Sequence, residues 1–180
     1  MGRRLKTSYV RNESEDQLKA QAFALTIRAQ RPIKPRWSGY GQYGYQHDRF
    51  AGMLSRNAVE AGVAYSVVER VPHTLIVDAG LGYAKEQRLL GNNLSTATLG
   101  SGGFYALKIS QTSEFSEDGH FVFSLSDGSE WRYVNAVALT AKVTTTFSLK
   151  LSNTIRYLNL PALGFKNRDV VTAVALVAKF

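Results

Sequence analysis

Large apolar residues recur at every second position along almost the whole chain, and this alternation leaves little room for anything but β-strands. The clearest run is the last twelve residues, DVVTAVALVAKF. There Val170, Thr172, Val174, Leu176, Ala178 and Phe180 fall on one side of an extended strand, and Val171, Ala173, Ala175, Val177 and Lys179 on the other. Apolar repeats at i, i+3 and i+4 are few, whereas β-branched, aromatic and glycine residues are abundant. Reading the alternation between clusters of turn residues predicts ten strands. They are Leu5–Val10, Leu18–Gln30, Arg36–Gln46, Arg56–Val68, Thr74–Lys85, Thr96–Ile109, Ser113–Ser126, Glu130–Lys142, Thr146–Tyr157 and Asp169–Phe180. No domain boundary or low-complexity linker interrupts them, so residues 1–180 are expected to form one all-β domain.

The connections differ in character at the two ends of these strands. One set is RNESED, HDRFAGMLS, EQRLLGNNLS, DGS and LNLPALGFKNR; the other is RPIKP, ERVPH, SQT and VTT. Apart from DGS the first set is longer. Short turns at one end and long loops at the other are the pattern of an antiparallel up-and-down transmembrane β-barrel. The ending fits as well: termini of soluble domains are usually solvated and frayed, whereas the last strand of a barrel pairs with the first.

Alternation defines two faces. One is bulky and apolar, with Val59, Val63, Val77, Leu81, Leu99, Leu139, Leu149 and Leu151 among its members; the other is small or polar and rich in glycine. The bulky set is too large for the interior of a small barrel, which expects it to face lipid. Aromatic residues sort by level along the strands. Tyr9, Tyr45, Tyr83, Trp131, Tyr133 and Tyr157 fall near the long-loop end, and Trp37, Tyr65, Tyr105, Phe147 and Phe180 near the short-turn end. Two such girdles are what the two membrane interfaces select. On the opposite face Glu60, Asp78, Lys108, Arg132, Lys150 and Arg156 are expected to point into the lumen, to pair and seal it or to line a water-filled path.

Composition bounds the alternatives. No run approaches the roughly 18 apolar residues of a membrane helix, and there is no cysteine for a disulfide framework or a thiolate metal site. The net charge of +8 comes from 22 Lys and Arg spread along the whole length, which suits lipid headgroups or lipopolysaccharide and gives no focused nucleic-acid patch. No apolar signal-peptide core follows MGRRLKTSYV.

Four stretches carry a family resemblance: YGYQHDRFAGMLSRNAVEAGVAY (Tyr43–Tyr65), LIVDAGLGYAKEQ (Leu75–Gln87), FSLSDGSEWRYVNAVALTAKVTTTFSLKLSNTIRY (Phe123–Tyr157) and the closing DVVTAVALVAKF. Together they resemble the salt-induced outer-membrane proteins of Gram-negative bacteria, domain of unknown function 481. The resemblance implies an outer-membrane barrel linked to osmotic or salt stress, assembled by the barrel-assembly machinery, with Phe180 as a C-terminal insertion signal. It implies no catalytic residue and no cofactor. It also implies a signal peptide and about two strands ahead of Leu5, so the barrel closes with ten strands or, in a longer chain, twelve.

Candidate chemistry is sparse. A lipid hydrolase needs a serine beside a histidine base. His47 and His73 are expected in connections. His120 lies on the polar face, but Ser116 and Ser124 are four residues away, roughly 13 Å along a strand. No H-x-H, HExxH or phosphate-binding fingerprint is present. The expectation is therefore a barrel without enzymatic activity, a small pore or a structural envelope component. The alternatives are a soluble barrel or sandwich that binds an apolar ligand and, behind it, a lipid-active enzyme.

Overall fold

The computed structural model describes residues 2–14, 17–48, 52–90, 92–161 and 165–178. They form one antiparallel sheet of β1 (Gly2–Ser14), β2 (Gln17–Lys34), β3 (Trp37–Asp48), β4 (Met53–Arg70), β5 (His73–Arg88), β6 (Leu94–Lys108), β7 (Ser113–Ser124), β8 (Trp131–Lys142), β9 (Phe147–Leu158) and β10 (Arg168–Ala178). Each strand pairs with its neighbours in chain order, an up-and-down meander in which the ladder among the described residues runs from β1 to β10. Phe180, the expected insertion signal, lies outside the described residues.

Strands reach further than turn chemistry alone predicts. β5 continues to Arg88 because Lys85 and Glu86 pair with Ser95 and Leu94. β1 runs to Ser14, which pairs with Gln17, so Arg11, Asn12, Glu13 and Ser14 of the expected RNESED loop belong to the strand. The DGS connection moves the other way and widens to residues 125–130. At the opposite end the turns are tight: residues 35–36, 71–72, 109–112 and 143–146. Arg36 takes the left-handed conformation that a two-residue turn demands, with φ of 65°.

The sheet is strongly curved. Neighbouring strands lie about 4.8 Å apart, so groups three strands apart on a flat sheet are about 14 Å distant. Yet Arg28 on β2 meets Asp78 on β5 at 2.8 Å, and Arg132 on β8 meets Glu86 on β5 at 2.7 Å. Those side chains can touch only across a concave face.

Burial then answers the question that alternation leaves open. The convex face carries the bulky residues, with Leu81 64% and Val174 67% exposed. The concave face holds the buried ones: Ala64, Ala84, Ala106 and Ala138, with Thr96, Thr98, Ser124, Glu60 and Glu86. Its packing depends on missing side chains. Gly62 and Gly80 face each other on β4 and β5. A Cβ on Gly62 would stand 2.2 Å from the Ala79 carbonyl oxygen, and one on Gly80 would stand 2.6 Å from the Tyr40 hydroxyl. Gly62→Ala should therefore lower stability by about 1–3 kcal/mol, because backbone has to move. Gly41→Ala, where a Cβ meets nothing within 4 Å, should leave it unchanged. Denaturation midpoints of the two variants measure the difference.

Candidate functional site

Chemistry-bearing side chains gather on the concave face in two linked groups. The first forms where β2, β3, β4, β5 and β7 bring even-numbered residues together. The Tyr40 hydroxyl donates to Glu60 Oε1 at 2.6 Å, and Gln42 Nε2 donates to the same oxygen at 3.4 Å. His120 Nε2 lies 3.5 Å from Glu60 Oε2. The Arg28 guanidinium stacks 3.7 Å above the Tyr40 ring and donates to Asp78 Oδ2 at 2.8 Å. Glycine makes this arrangement possible, since a Cβ on Gly100 would fall 2.4 Å from Glu60 Oε2 and one on Gly102 would fall 2.6 Å from Asp78 Oδ1.

The second group lies toward the long-loop end and is built on Glu86, only 3% exposed. Arg88 Nε donates to Glu86 Oε1 at 2.8 Å and Arg132 Nη2 to Oε2 at 2.7 Å, while Arg56 Nε stands 3.5 Å from Oε2. Arg88 also reaches Glu130 at 3.4 Å. Around them is a cavity of about 20 Å³ lined by Arg56, Arg88, Thr96, Thr98, Ser124 and Glu130, room for about one water. A bulge between Met53 and Ser55 turns Met53 onto this face, where it is buried beside the cluster. A second cavity of about 90 Å³ lies near the long-loop end, among Met53, Arg132, Val134, Arg156 and Lys166.

Arg28, Arg56, Arg88 and Arg132 face Glu60, Asp78, Glu86 and Glu130, so opposite charges cancel across the two groups. Buried charge is costly unless it is paired in this way; Arg56 Nε, Asp78 Oδ1 and Glu130 Oε2 are buried without a hydrogen bond among the described residues. In the connection above, Ser129 donates from both its backbone N–H and its hydroxyl to Asp127 Oδ1 and holds that carboxyl below the usual range. Partial burial pushes the neighbouring Glu130 carboxyl up, against the pull of Arg88.

Of the charged residues expected in the lumen, Glu60, Asp78 and Arg132 stand in these groups. Arg156 lies nearer the long-loop end, 3.7 Å from Asp169. Lys108 ends β6, exposed at the short-turn end, and Lys150 sits on β9; neither has an ion pair among the described residues. Arg28, Arg56, Glu86, Arg88 and Glu130 were missed. The signal for Glu86 and Arg88 was the alternation itself, which continues in step from Asp78, Gly80, Gly82 and Ala84 into the segment read as a loop.

His47 and His73 occupy strand ends and not connections. A ring nitrogen of His47 contacts the Leu54 carbonyl, and His73 Nδ1 lies 2.9 Å from the Tyr105 hydroxyl. His120 faces a carboxylate, and no serine is hydrogen-bonded to it among the described residues.

The aromatic residues cluster on the convex face at two levels. Trp37 packs on Tyr65 at 4.8 Å, and Tyr105 contacts His73 and Phe115, all near the short turns, where Phe147 also lies. Near the long loops Trp131 stacks between Phe121 and Tyr157, and Tyr45 lies against Phe23. Tyr83 and Tyr133 are exposed on the same face, with Tyr83 hydrogen-bonded to Ser95.

The family described as "Protein of unknown function, DUF481" matches residues 3–180. A comparison with curated proteins finds no match. Among solved structures, a NanC porin in a rhombohedral crystal form aligns over 98% of this chain and 99% of its own, at 11% identity and a TM-score of 0.49.

Proposed function

We propose that this chain, which belongs to the DUF481 family, is a bacterial outer-membrane β-barrel and a structural component of the envelope, its lumen narrowed by the arginine–carboxylate wall. The observation that carries this reading is the inversion of burial. Large apolar residues cover the convex face while arginine and glutamate are buried on the concave one. In water that surface is a broad apolar patch of the kind soluble monomers avoid. In a bilayer it is the lipid-facing band, flanked by aromatic levels where the interfaces lie. A soluble barrel that binds an apolar ligand would keep its bulky residues inside, which runs against the same observation.

The narrowed lumen follows from exposure. A water-filled channel wets its lining, but Ala64, Ala84, Glu86, Thr96 and Ser124 are almost wholly inaccessible. A small pore is the second reading, favoured by β9–β10, where Ala173, Ala175 and Val177 on the concave face are exposed. In this proposal β10 closes on β1 or on strands that precede it. Outer-membrane lipid and lipopolysaccharide are the surrounding partners, and barrel-assembly machinery engages the C-terminal segment that includes β10.

Refolding into detergent and planar bilayers tests the proposal. A heat-modifiable band and no resolvable conductance steps are expected. A monodisperse species in plain buffer would remove the membrane reading. Large, stable steps from the heat-modifiable barrel would replace the narrowed lumen with an open pore.

A further inference from the structure

The convex face is not apolar throughout. On β4 and β5 its mid-strand positions are Val59, Ala61, Val63, Val77, Ala79 and Leu81. On β7 to β10 polar residues interrupt the corresponding belt: Glu117, Asn135, Asn153 and Thr172, one on each of four successive strands, with Val137 and Ile155 between the two pairs. The side chains bond within the two pairs. Asn135 Nδ2 donates to Glu117 Oε1 at 2.8 Å and to the Tyr133 hydroxyl at 3.0 Å, and Asn153 Nδ2 donates to Thr172 Oγ1 at 2.8 Å. Part of their capacity is left over. Among the described residues Glu117 Oε2, Asn135 Oδ1, Asn153 Oδ1 and the second N–H of Asn153 make no hydrogen bond. Hydrocarbon offers these groups no partner.

We propose that this belt is an interface with a second copy of the chain within the membrane, an inference that rests on the membrane reading above. The patch carries unsatisfied acceptors together with free amide and hydroxyl donors, so its own image turned through a two-fold axis supplies what it lacks. A different, basic partner would answer Glu117 alone and leave the amides unmet. The surface also permits close approach. Gly103 and Gly119 pair beside Glu117, and a Cβ on Gly103 would meet nothing within 4 Å. Small residues of this kind let two membrane surfaces come together. Leu151 and Val174, both exposed, flank Asn153 and Thr172 with apolar contact area.

The absence of native cysteine makes the test direct. In lipid vesicles the Asn153→Cys protein should cross-link with a short bis-maleimide to twice the monomer mass, and Leu81→Cys on the opposite wall should not. Light scattering in mild detergent should give a dimer for the wild type. The triple variant Glu117→Leu, Asn135→Leu, Asn153→Leu should give a monomer that keeps its heat-modifiable band. Absence of the cross-link from a heat-modifiable Asn153→Cys barrel overturns the interface and leaves the barrel standing. A dimer that survives the triple substitution, or a cross-link in native membranes to a different protein, also overturns it. A monodisperse wild type in plain buffer removes the membrane reading and the interface together.

Discussion

Glu86→Ala should cost about 3–5 kcal/mol of stability, the magnitude expected when one member of a buried charge cluster is removed and its partners remain. Three guanidiniums converge on this carboxylate, and it is 3% exposed. Without it Arg56 and Arg132 confront each other across a space with room for about one water. Arg56 cannot leave easily, since it is itself buried. Arg88 differs because it keeps a second carboxylate, Glu130, at 3.4 Å. Arg88→Ala should cost less than Glu86→Ala, because Glu86 keeps Arg132 and Arg56 as partners. A double variant, Glu86→Leu with Arg132→Leu, should cost less than the sum of its single changes, because the second substitution removes a charge the first had stranded. Urea unfolding of the refolded protein measures all of these. A Glu86→Ala midpoint equal to that of the wild type would show that the cluster is not the buried hub described here.

The second expected result separates lipid from water on the convex face. Leu81 lies near the middle of β5 and is 64% exposed. On the surface of a soluble protein Leu81→Arg would be nearly neutral, within about 0.5 kcal/mol. At the midplane of a bilayer the same change should cost about 2–4 kcal/mol. Insertion yield into vesicles, read by the fraction of heat-modifiable protein, should fall sharply for Leu81→Arg. It should fall little for Lys85→Arg, which keeps its charge near the end of the same strand. An unaffected Leu81→Arg yield would count heavily against the membrane reading.

Much of this architecture was legible in the residues. The closing strand was expected from Asp169 and is observed from Arg168; the strand expected at Thr74–Lys85 is observed at His73–Arg88. Boundaries slipped where turn-forming composition competed with pairing. RNESED looks like a loop, yet Asn12, Glu13 and Ser14 pair with Ala20, Leu18 and Gln17. EQR looks like the start of a loop, yet the β6 partner strand is long enough to hold Glu86 in register. Backbone hydrogen bonding across strands overrode local preference in both places. That extension put Glu86 and Arg88 on the concave face and turned an expected loop into the centre of the charge cluster.

What the residues alone determined is periodicity: that the chain forms strands, which residues share a face, and that aromatic side chains sort into two levels. Alternation is symmetric between its two faces; the bulk of one face gives the expectation that it turns outward, and the fold is what places it there. Alternation also carries no information about contacts between strands that are not sequence neighbours. Both were decided by the curvature of the sheet, which brought Arg28 to Asp78 and Arg132 to Glu86 across three strand spacings. The glycines opposite those side chains are the physical reason the curved face can hold them. Gly80, Gly100 and Gly102 leave the volume that Tyr40, Glu60 and Asp78 occupy, and the bulky residues are left on the outside.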